Sequence, residues 1–382
     1  MPKRPVDERG GVRSAKLPTQ RRHHLYLVLD DWELGYSIRK VDLPSGCDWD
    51  EADGDGVIDR TEHKLQPAVF RLEAPHGCSG QFAAFGTKIM FLGTHNTHWG
   101  TVPMYDVRRR ALTSAPRPDS GPEPYGSAYL QVDGKFFLLT AATFEMLPPA
   151  PPPAPPPLAA ARDNIKPDWS WRTLPSPPPY HIIVSHAVHR DGQTVVASMT
   201  KHCWKKGQRL TTFSFDMETS QWARHGAWGL PFDGRGYFDP DLDAWVGLSC
   251  DPDTRGHLCA CDVFSADNKD PPACKLSKER LFCVNPEENH IGATLVYVGD
   301  NGGSSRFCLV QGLSIDDRQD SIWKESLPEN LRYLLRVTVF SLKYDKHGDL
   351  RIARHRHIGS YRLPHLAGVY REHLERPVAF WM

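Results

Sequence analysis

The sequence of 382 residues predicts an all-β protein. Short apolar runs, such as residues 25–29 and 194–197, lie between glycine, proline and aspartate residues, and extended helical periodicity is nearly absent. Turn markers recur 48 to 58 residues apart, at Gly86, Gly134, Gly192, Asp243 and Gly299. Because four short strands in a unit of about 50 residues are typical of a propeller blade, the predicted architecture is a β-propeller.

Each repeating unit has two parts. In the first, two apolar strands meet at a tight turn, where a pair such as Asp133 and Gly134 supplies the positive φ angles of a two-residue hairpin. In the second, a strand ends in an aspartate whose carboxylate accepts hydrogen bonds from the next backbone amides and starts the turn into an outer strand. These aspartates are Asp42, Asp106, Asp216, Asp262 and Asp345.

The units predict six four-stranded blades within residues 25–363, with one blade more or fewer left open. Residues 1–24 are a basic leader that we expect to be disordered, and residues 364–382 are a C-terminal tail. The strand at residues 354–363 is left over, and we expect it to pair with the first blade, so that N- and C-terminal strands close the ring. The predicted face loops are insertions at residues 43–64, 147–168 (a proline-rich run) and 312–330.

The sequence resembles kelch-type β-propellers and, more loosely, the galactose-oxidase-like superfamily. The resemblance is carried by the Asp-Gly hairpins, by aromatic-Asp strand ends such as Phe215 with Asp216, and by Trp222 with Pro231. The phrasing of residues 25–32 is also similar to plant, especially grass, proteins related to F-box-associated kelch proteins. The resemblance implies a module that binds a protein partner through its face loops.

Composition excludes several classes of function. With 46 basic and 46 acidic residues the net charge is zero, which argues against a nucleic-acid partner, and no apolar stretch is long enough to cross a membrane. An odd number of cysteines, nine, does not fit a secreted disulfide framework. We therefore expect a monomer in the cytoplasm or nucleus.

Residues 51–62 are the sharpest local match to a binding motif. They place acidic side chains at five positions of a calcium loop, with Gly56 at the sixth position. However, Glu51 stands where an aspartate is typical, and the preceding residues 43–46 do not form an entering helix. A disordered acidic loop is the favoured interpretation, and calcium binding stays open.

A second candidate lies at His257, Cys259 and Cys261, which a strand would place on one face, with Cys250, Cys274 and Cys283 nearby in sequence. Zinc is one interpretation, but the paired Cys-x-x-Cys spacing of zinc sites is missing, so core packing is favoured.

The remaining candidates are contact residues. Residues 95–99, Trp204 with Lys205 and Lys206, and Trp228 would lie in loops, where propellers bind their partners. The basic runs at 108–110 and 351–362 could contact phosphate, although a solvated strand face is favoured.

The sequence therefore predicts a non-catalytic protein-interaction scaffold, to which no catalytic, cofactor or metal residue is assigned. The alternative is a metal-dependent propeller, either calcium-binding or a copper oxidase-like enzyme. The copper enzyme would require Tyr, His and Cys ligands to converge.

Overall fold

The computed structural model describes a nearly all-β chain. The described residues are 23–43, 61–74, 81–93, 100–120, 126–151, 169–179, 182–201, 209–265, 269–282, 285–300, 305–316, 331–364, 366–369 and 372–382. Apart from a 3-10 turn at Pro252–Thr254, their helical segments are the short helices α1 (Leu366–Val369) and α2 (Glu372–Glu375). Over these ranges, no helix has the length and apolar character needed to cross a membrane.

The strands form five sheets. The first sheet has the order β25 (Val378–Trp381), β1 (Leu25–Trp32), β2 (Gly35–Val41) and β4 (Ala68–Glu73). The second contains β5 (Gln81–Phe85), β6 (Lys88–Gly93), β7 (Thr101–Asp106) and β8 (Ala111–Pro116) in sequence order. The third contains β9 (Ala128–Val132), β10 (Lys135–Leu139), β11 (Phe144–Leu147) and β12 (Arg172–Thr173).

The fourth sheet has eight strands. They are β13 (Ile182–Val188), β14 (Thr194–Thr200), β15 (Leu210–Asp216), β16 (Gln221–Gly226), β17 (Gly234–Asp239), β18 (Ala244–Leu248), β19 (Leu258–Asp262) and β20 (Cys274–Leu276). It consists of two antiparallel four-stranded units, which a parallel pairing of β13 with β17 joins.

The fifth sheet has the longest strands. It contains β21 (Glu288–Asp300), β22 (Ser305–Asp316), β23 (Leu331–Tyr344) and β24 (Leu350–Arg362), and the short β3 (Glu62–Lys64) pairs in parallel with β24.

The turn chemistry predicted from the sequence is present in the structure. All five turn markers have positive φ angles, which range from 47° at Asp243 to 91° at Gly299. Gly299 lies near the end of β21, beside a bulge, rather than in the turn itself. Three of the five strand-end aspartates accept hydrogen bonds from following backbone amides: Asp106, Asp216 and Asp345.

Tryptophan side chains connect neighbouring four-stranded units. The indole N–H of Trp171 donates to the carbonyl of Pro116 at 2.9 Å, and that of Trp222 donates to Pro175 at 3.0 Å. Trp245, fully buried, donates in the same way to Val188 at 2.8 Å. Each hydrogen bond gives the polar N–H group of a large, mostly apolar side chain a carbonyl partner in the neighbouring unit. The bonds also fix the spacing of adjacent units.

The core is divided into six apolar clusters that lie between successive four-stranded units. Side chains alternate between the two faces of a strand: Leu25 and Leu27 of β1 pack on the fifth sheet, while Tyr26 and Val28 pack on the second. The other clusters lie between the second and third sheets, the third sheet and the β13–β16 unit, the two halves of the fourth sheet, and the β17–β20 unit and the fifth sheet. The predicted all-β, propeller-like arrangement is confirmed.

The C-terminal strands differ from the sequence-based expectation. The strand predicted at residues 354–363 belongs to β24, which pairs antiparallel with β23. Outside its own unit, β24 pairs in parallel with the short β3, and Leu350 forms a single β-bridge with Ser277. The strand that pairs with β1 is β25, which lies in the segment predicted as a tail. Four apolar residues followed by Met382 were too short a signal to identify it. Most residues of the three predicted insertions lie outside the described ranges.

Two glycines allow the C-terminal segment to reach the fifth sheet. Gly292 of β21 and Gly312 of β22 are register partners, and the backbone of α2 lies directly on them. A Cβ atom at Gly292 would overlap the carbonyl of Glu375, and one at Gly312 would lie 2.5 Å from the carbonyl of Leu374. We call this pair the glycine notch; it places α2 so that the chain continues into β25.

We predict that Gly292→Ala destabilises the protein by about 2–4 kcal/mol, because the added methyl group meets backbone that cannot move without displacing β25. Chemical denaturation followed by tryptophan fluorescence measures the free energy of unfolding. Gly100→Ala is the matched control, since no atom of the described residues lies within 4 Å of a Cβ atom there, and its effect should stay below about 0.5 kcal/mol. Equal stability of the two variants would contradict the role of the notch.

Candidate functional site

A large cavity lies where six strands approach one another. Its volume is about 710 Å³, within the usual range for ligand pockets. Each four-stranded unit contributes one strand to its wall, and these strands are β5, β9, β13, β17, β21 and β25. We call it the central cavity.

Hydroxyl, amide and aromatic groups form much of the wall. The Tyr129 hydroxyl donates to Oε1 of Gln81 at 3.2 Å, and Oε1 of Gln131 accepts from the backbone N–H of Gly86 at 2.9 Å. The rings of Tyr237 and Tyr297 stack with their centroids 6.2 Å apart. Burial raises the pKa of Tyr129 and of Tyr237, so both hydroxyls are protonated and can donate hydrogen bonds.

The parallel pairing of β13 with β17 places His186 opposite Arg235. The His186 side chain is only 9% exposed, and burial, assisted by the positive charge of Arg235, lowers its pKa to about 3. His186 is therefore neutral at physiological pH. Arg235 is exposed to the cavity, and its guanidinium lies 4.8 Å from the centroid of the Tyr237 ring, a cation–π contact.

The C-terminal segment supplies a second set of charged groups. Glu375 and Arg376 line the cavity ahead of β25. His373 also lines the cavity, and burial lowers its pKa to about 4. Its ring forms a hydrogen bond with the backbone of Val28, while its Nδ1 has no hydrogen-bond partner among the described residues. Within the described ranges, neither Arg235 nor Arg376 forms an ion pair with a carboxylate.

This arrangement favours an anionic ligand. Two guanidinium groups, three tyrosines and two glutamines offer hydrogen-bond donors, while Glu375 has the one carboxylate side chain among the described lining residues. The same lining contains no cysteine, so it does not bring together the Tyr, His and Cys ligands of a copper enzyme. No group of three or more His, Cys, Asp or Glu side chains is placed to hold a metal ion anywhere in the described part of the chain.

The His257 and cysteine candidate is a packing feature. Cys259 and Cys261 are fully buried in the apolar cluster within the fourth sheet, and burial raises the pKa of the Cys261 thiol. His257 lies elsewhere: its Nδ1 is 2.8 Å from the carbonyl oxygen of Ser277. Cys250 and Cys274 are exposed free thiols, and Cys283 lies outside the described residues.

The remaining candidates have mixed outcomes. Residues 51–60 of the acidic loop, residues 95–99, Trp204, Lys205 and Lys206 lie outside the described residues. The indole of Trp228 donates to the carbonyl of Lys269 at 2.9 Å and forms a contact between units. In the basic run of β24, Arg351 pairs with Glu279 at 2.6 Å.

Sequence reasoning missed the residues of the central cavity. Gln81, Tyr129, His186 and Arg235 are widely spaced single residues, and each belongs to a strand of ordinary apolar character. The available signal was positional, since each lies in the first strand of its unit. The sequence does not show which strand of each unit lines the cavity. For that reason the position could not be recognised as a site.

We predict that the protein loses stability as the pH falls from 7 to 5. His186 and His373 have pKa values of about 3 and 4 when folded but near 6.5 when unfolded, so in this range only the unfolded chain takes up their protons. Each contributes a loss on the order of 1–2 kcal/mol. Urea denaturation at both pH values should therefore give a smaller loss for His186→Gln than for the wild type. His347→Gln, at an exposed turn, should match the wild type, and an unchanged loss in His186→Gln would rule the effect out.

Comparison with solved structures finds remote likenesses. The chain is similar to the Kuenenia stuttgartiensis hydrazine synthase at 13% identity, covering 78% of this chain and 69% of that chain with a TM-score of 0.34. It is similar to TolB from Acinetobacter baumannii at 12% identity, covering 68% and 62% with a TM-score of 0.32. A functionally unknown protein from Desulfotomaculum acetoxidans matches at 8% identity, covering 68% and 77% with a TM-score of 0.30.

A search of the curated proteins found no match. A family model does match: residues 22–361 fit the family described as "Protein of unknown function (DUF1668)". The match extends over all five sheets. It ends one residue before the end of β24 and does not include β25. The chain therefore belongs to the DUF1668 family.

Proposed function

We propose that this protein is a six-bladed kelch-type propeller, closed by the pairing of β25 with β1. We further propose that it is a non-catalytic module, which binds an acidic segment of a partner protein in its central cavity. Six apolar clusters between successive units, including one between the fifth and first sheets, support the closed ring. The observation that carries the binding function is a central cavity with two arginines that form no ion pair within the described residues.

The chemistry of the wall selects the ligand. A guanidinium group forms two parallel hydrogen bonds with a carboxylate, so Arg235 and Arg376 suit the side chains of aspartate and glutamate. Tyr237 holds the Arg235 guanidinium against its ring, which reduces the conformational freedom lost on binding. The tyrosine rings present apolar area for the rest of the segment, as aromatic residues do in protein interfaces.

A binding role is favoured over a catalytic one by the state of the titratable groups. General acid–base catalysis works best with a pKa near the working pH and with a second group that orients the first. His186 has a pKa of about 3 and no hydrogen bond among the described residues, so it lacks both properties.

The cellular setting remains part of the proposal. The exposed thiols of Cys250 and Cys274 are free, as expected for a protein of a reducing compartment, so we place the protein in the cytoplasm or nucleus as a monomer.

We predict that the full chain binds acidic peptides on a peptide array in preference to neutral and basic ones. For the peptide that binds most tightly, fluorescence polarisation should show that Arg235→Gln weakens the affinity about tenfold or more. The reason is that the peptide carboxylate, once buried in the cavity, loses a charge-assisted hydrogen bond. Arg224→Gln, on the exposed outer strand β16, is the matched control and should bind as the wild type does.

Two results would contradict this function. One is the absence of any preference for acidic peptides on the array. The other is an equal loss of affinity in the Arg224 control, which would mean that the peptides follow overall charge rather than the central cavity.

A further inference from the structure

A second pocket lies outside the central cavity, where the first and second sheets meet. Its volume is about 350 Å³, and its wall includes Arg108 and Arg110 from the turn between β7 and β8, together with Lys40 of β2. This basic run, which we expected on a solvated strand face, is exposed but lies in a turn. Two of its three arginines also line the wall of this pocket, which we call the basic pocket.

The turn that carries these arginines is held in a fixed conformation. Oδ1 of Asp106 accepts from the backbone N–H groups of Arg108 at 3.1 Å and Arg109 at 3.0 Å, while Lys88 pairs with Oδ2 at 3.7 Å. Arg110 has a φ angle of 53°, in the left-handed region. Arg108 and Arg110 reach the pocket wall in this conformation, and Arg109 between them does not.

The carboxylate side chains near the pocket, those of Asp42 and Asp106, are already engaged. Asp42 pairs with Lys40 at 3.2 Å and with His24 at 2.6 Å, and Asp106 faces the turn amides and Lys88. Arg108 and Arg110 have no ion pair with any described residue. The pocket therefore has an excess of positive charge.

Two buried tyrosines add neutral donors to the wall. The Tyr105 hydroxyl donates to the carbonyl of Val69 at 3.4 Å, and the Tyr26 hydroxyl has no hydrogen bond among the described residues. Burial raises the pKa of both tyrosines, against the opposing effect of the Arg110 charge, so both stay protonated. Val69 and Val107 give the pocket an apolar side.

We propose that the basic pocket binds a phosphate monoester. The two guanidinium groups would bind the phosphate oxygens, with the Tyr26 hydroxyl donating a further hydrogen bond. The organic group of the ester would contact Val69 and Val107. This site does not depend on the function proposed for the central cavity, because Arg235 and Arg376 do not line it.

Isothermal titration calorimetry of the full chain at constant ionic strength tests the proposal, with phenyl phosphate, inorganic phosphate and phenyl sulfate as probes. Phenyl phosphate should bind most tightly, because inorganic phosphate lacks the organic group and phenyl sulfate carries a single charge. Arg110→Gln and Arg108→Gln should each weaken phenyl phosphate binding about tenfold. Tyr26→Phe should weaken it by a smaller factor, of about threefold.

The neighbouring turn residue supplies the matched control. Arg109→Gln removes the same charge from the same turn without touching the pocket wall and should bind phenyl phosphate as the wild type does. Thermal melting checks that all variants are folded. The proposal is overturned by no binding at millimolar phenyl phosphate, by equal affinity for inorganic phosphate, or by an equal loss in Arg109→Gln.

Discussion

The close approach of α2 to the fifth sheet is the constraint on which the rest of the structure depends. Only glycine at positions 292 and 312 lets the backbone of Leu374 and Glu375 lie on β21 and β22. From there the chain enters β25, which pairs with β1 at the edge of the first sheet. Without this contact the central cavity would lose one of its six strands, and the first sheet would expose an unpaired edge.

Both candidate sites depend on the same terminal segment. Glu375, Arg376 and β25 line the central cavity, and Met382 lies on the walls of both that cavity and the basic pocket. The backbone of Met382 exchanges hydrogen bonds with that of His24, at 2.8 and 3.1 Å. The two sites therefore share a structural support, although they differ in their charged groups and in the ligands proposed for them.

Local features of the fold were predictable from the sequence, and long-range ones were not. The positive φ at Gly134 and the capped turn at Asp106 follow from the chemistry of one or two residues. The glycine notch involves residues of two strands and a helix, so no local pattern marks it. In the sequence, nothing distinguishes Arg108 and Arg235 from arginines on a solvated surface. Their placement on pocket walls follows from the packing of separate units.

The pairing of β25 with β1 also determines when the wall of the central cavity can be completed. The contact pairs Val28 with Val378, so it closes the residues between them into one loop. Antiparallel hairpins within each unit join residues close in sequence and can form early, whereas this contact carries the largest loop-closure cost. During synthesis, the central cavity is completed only after β25 has left the ribosome.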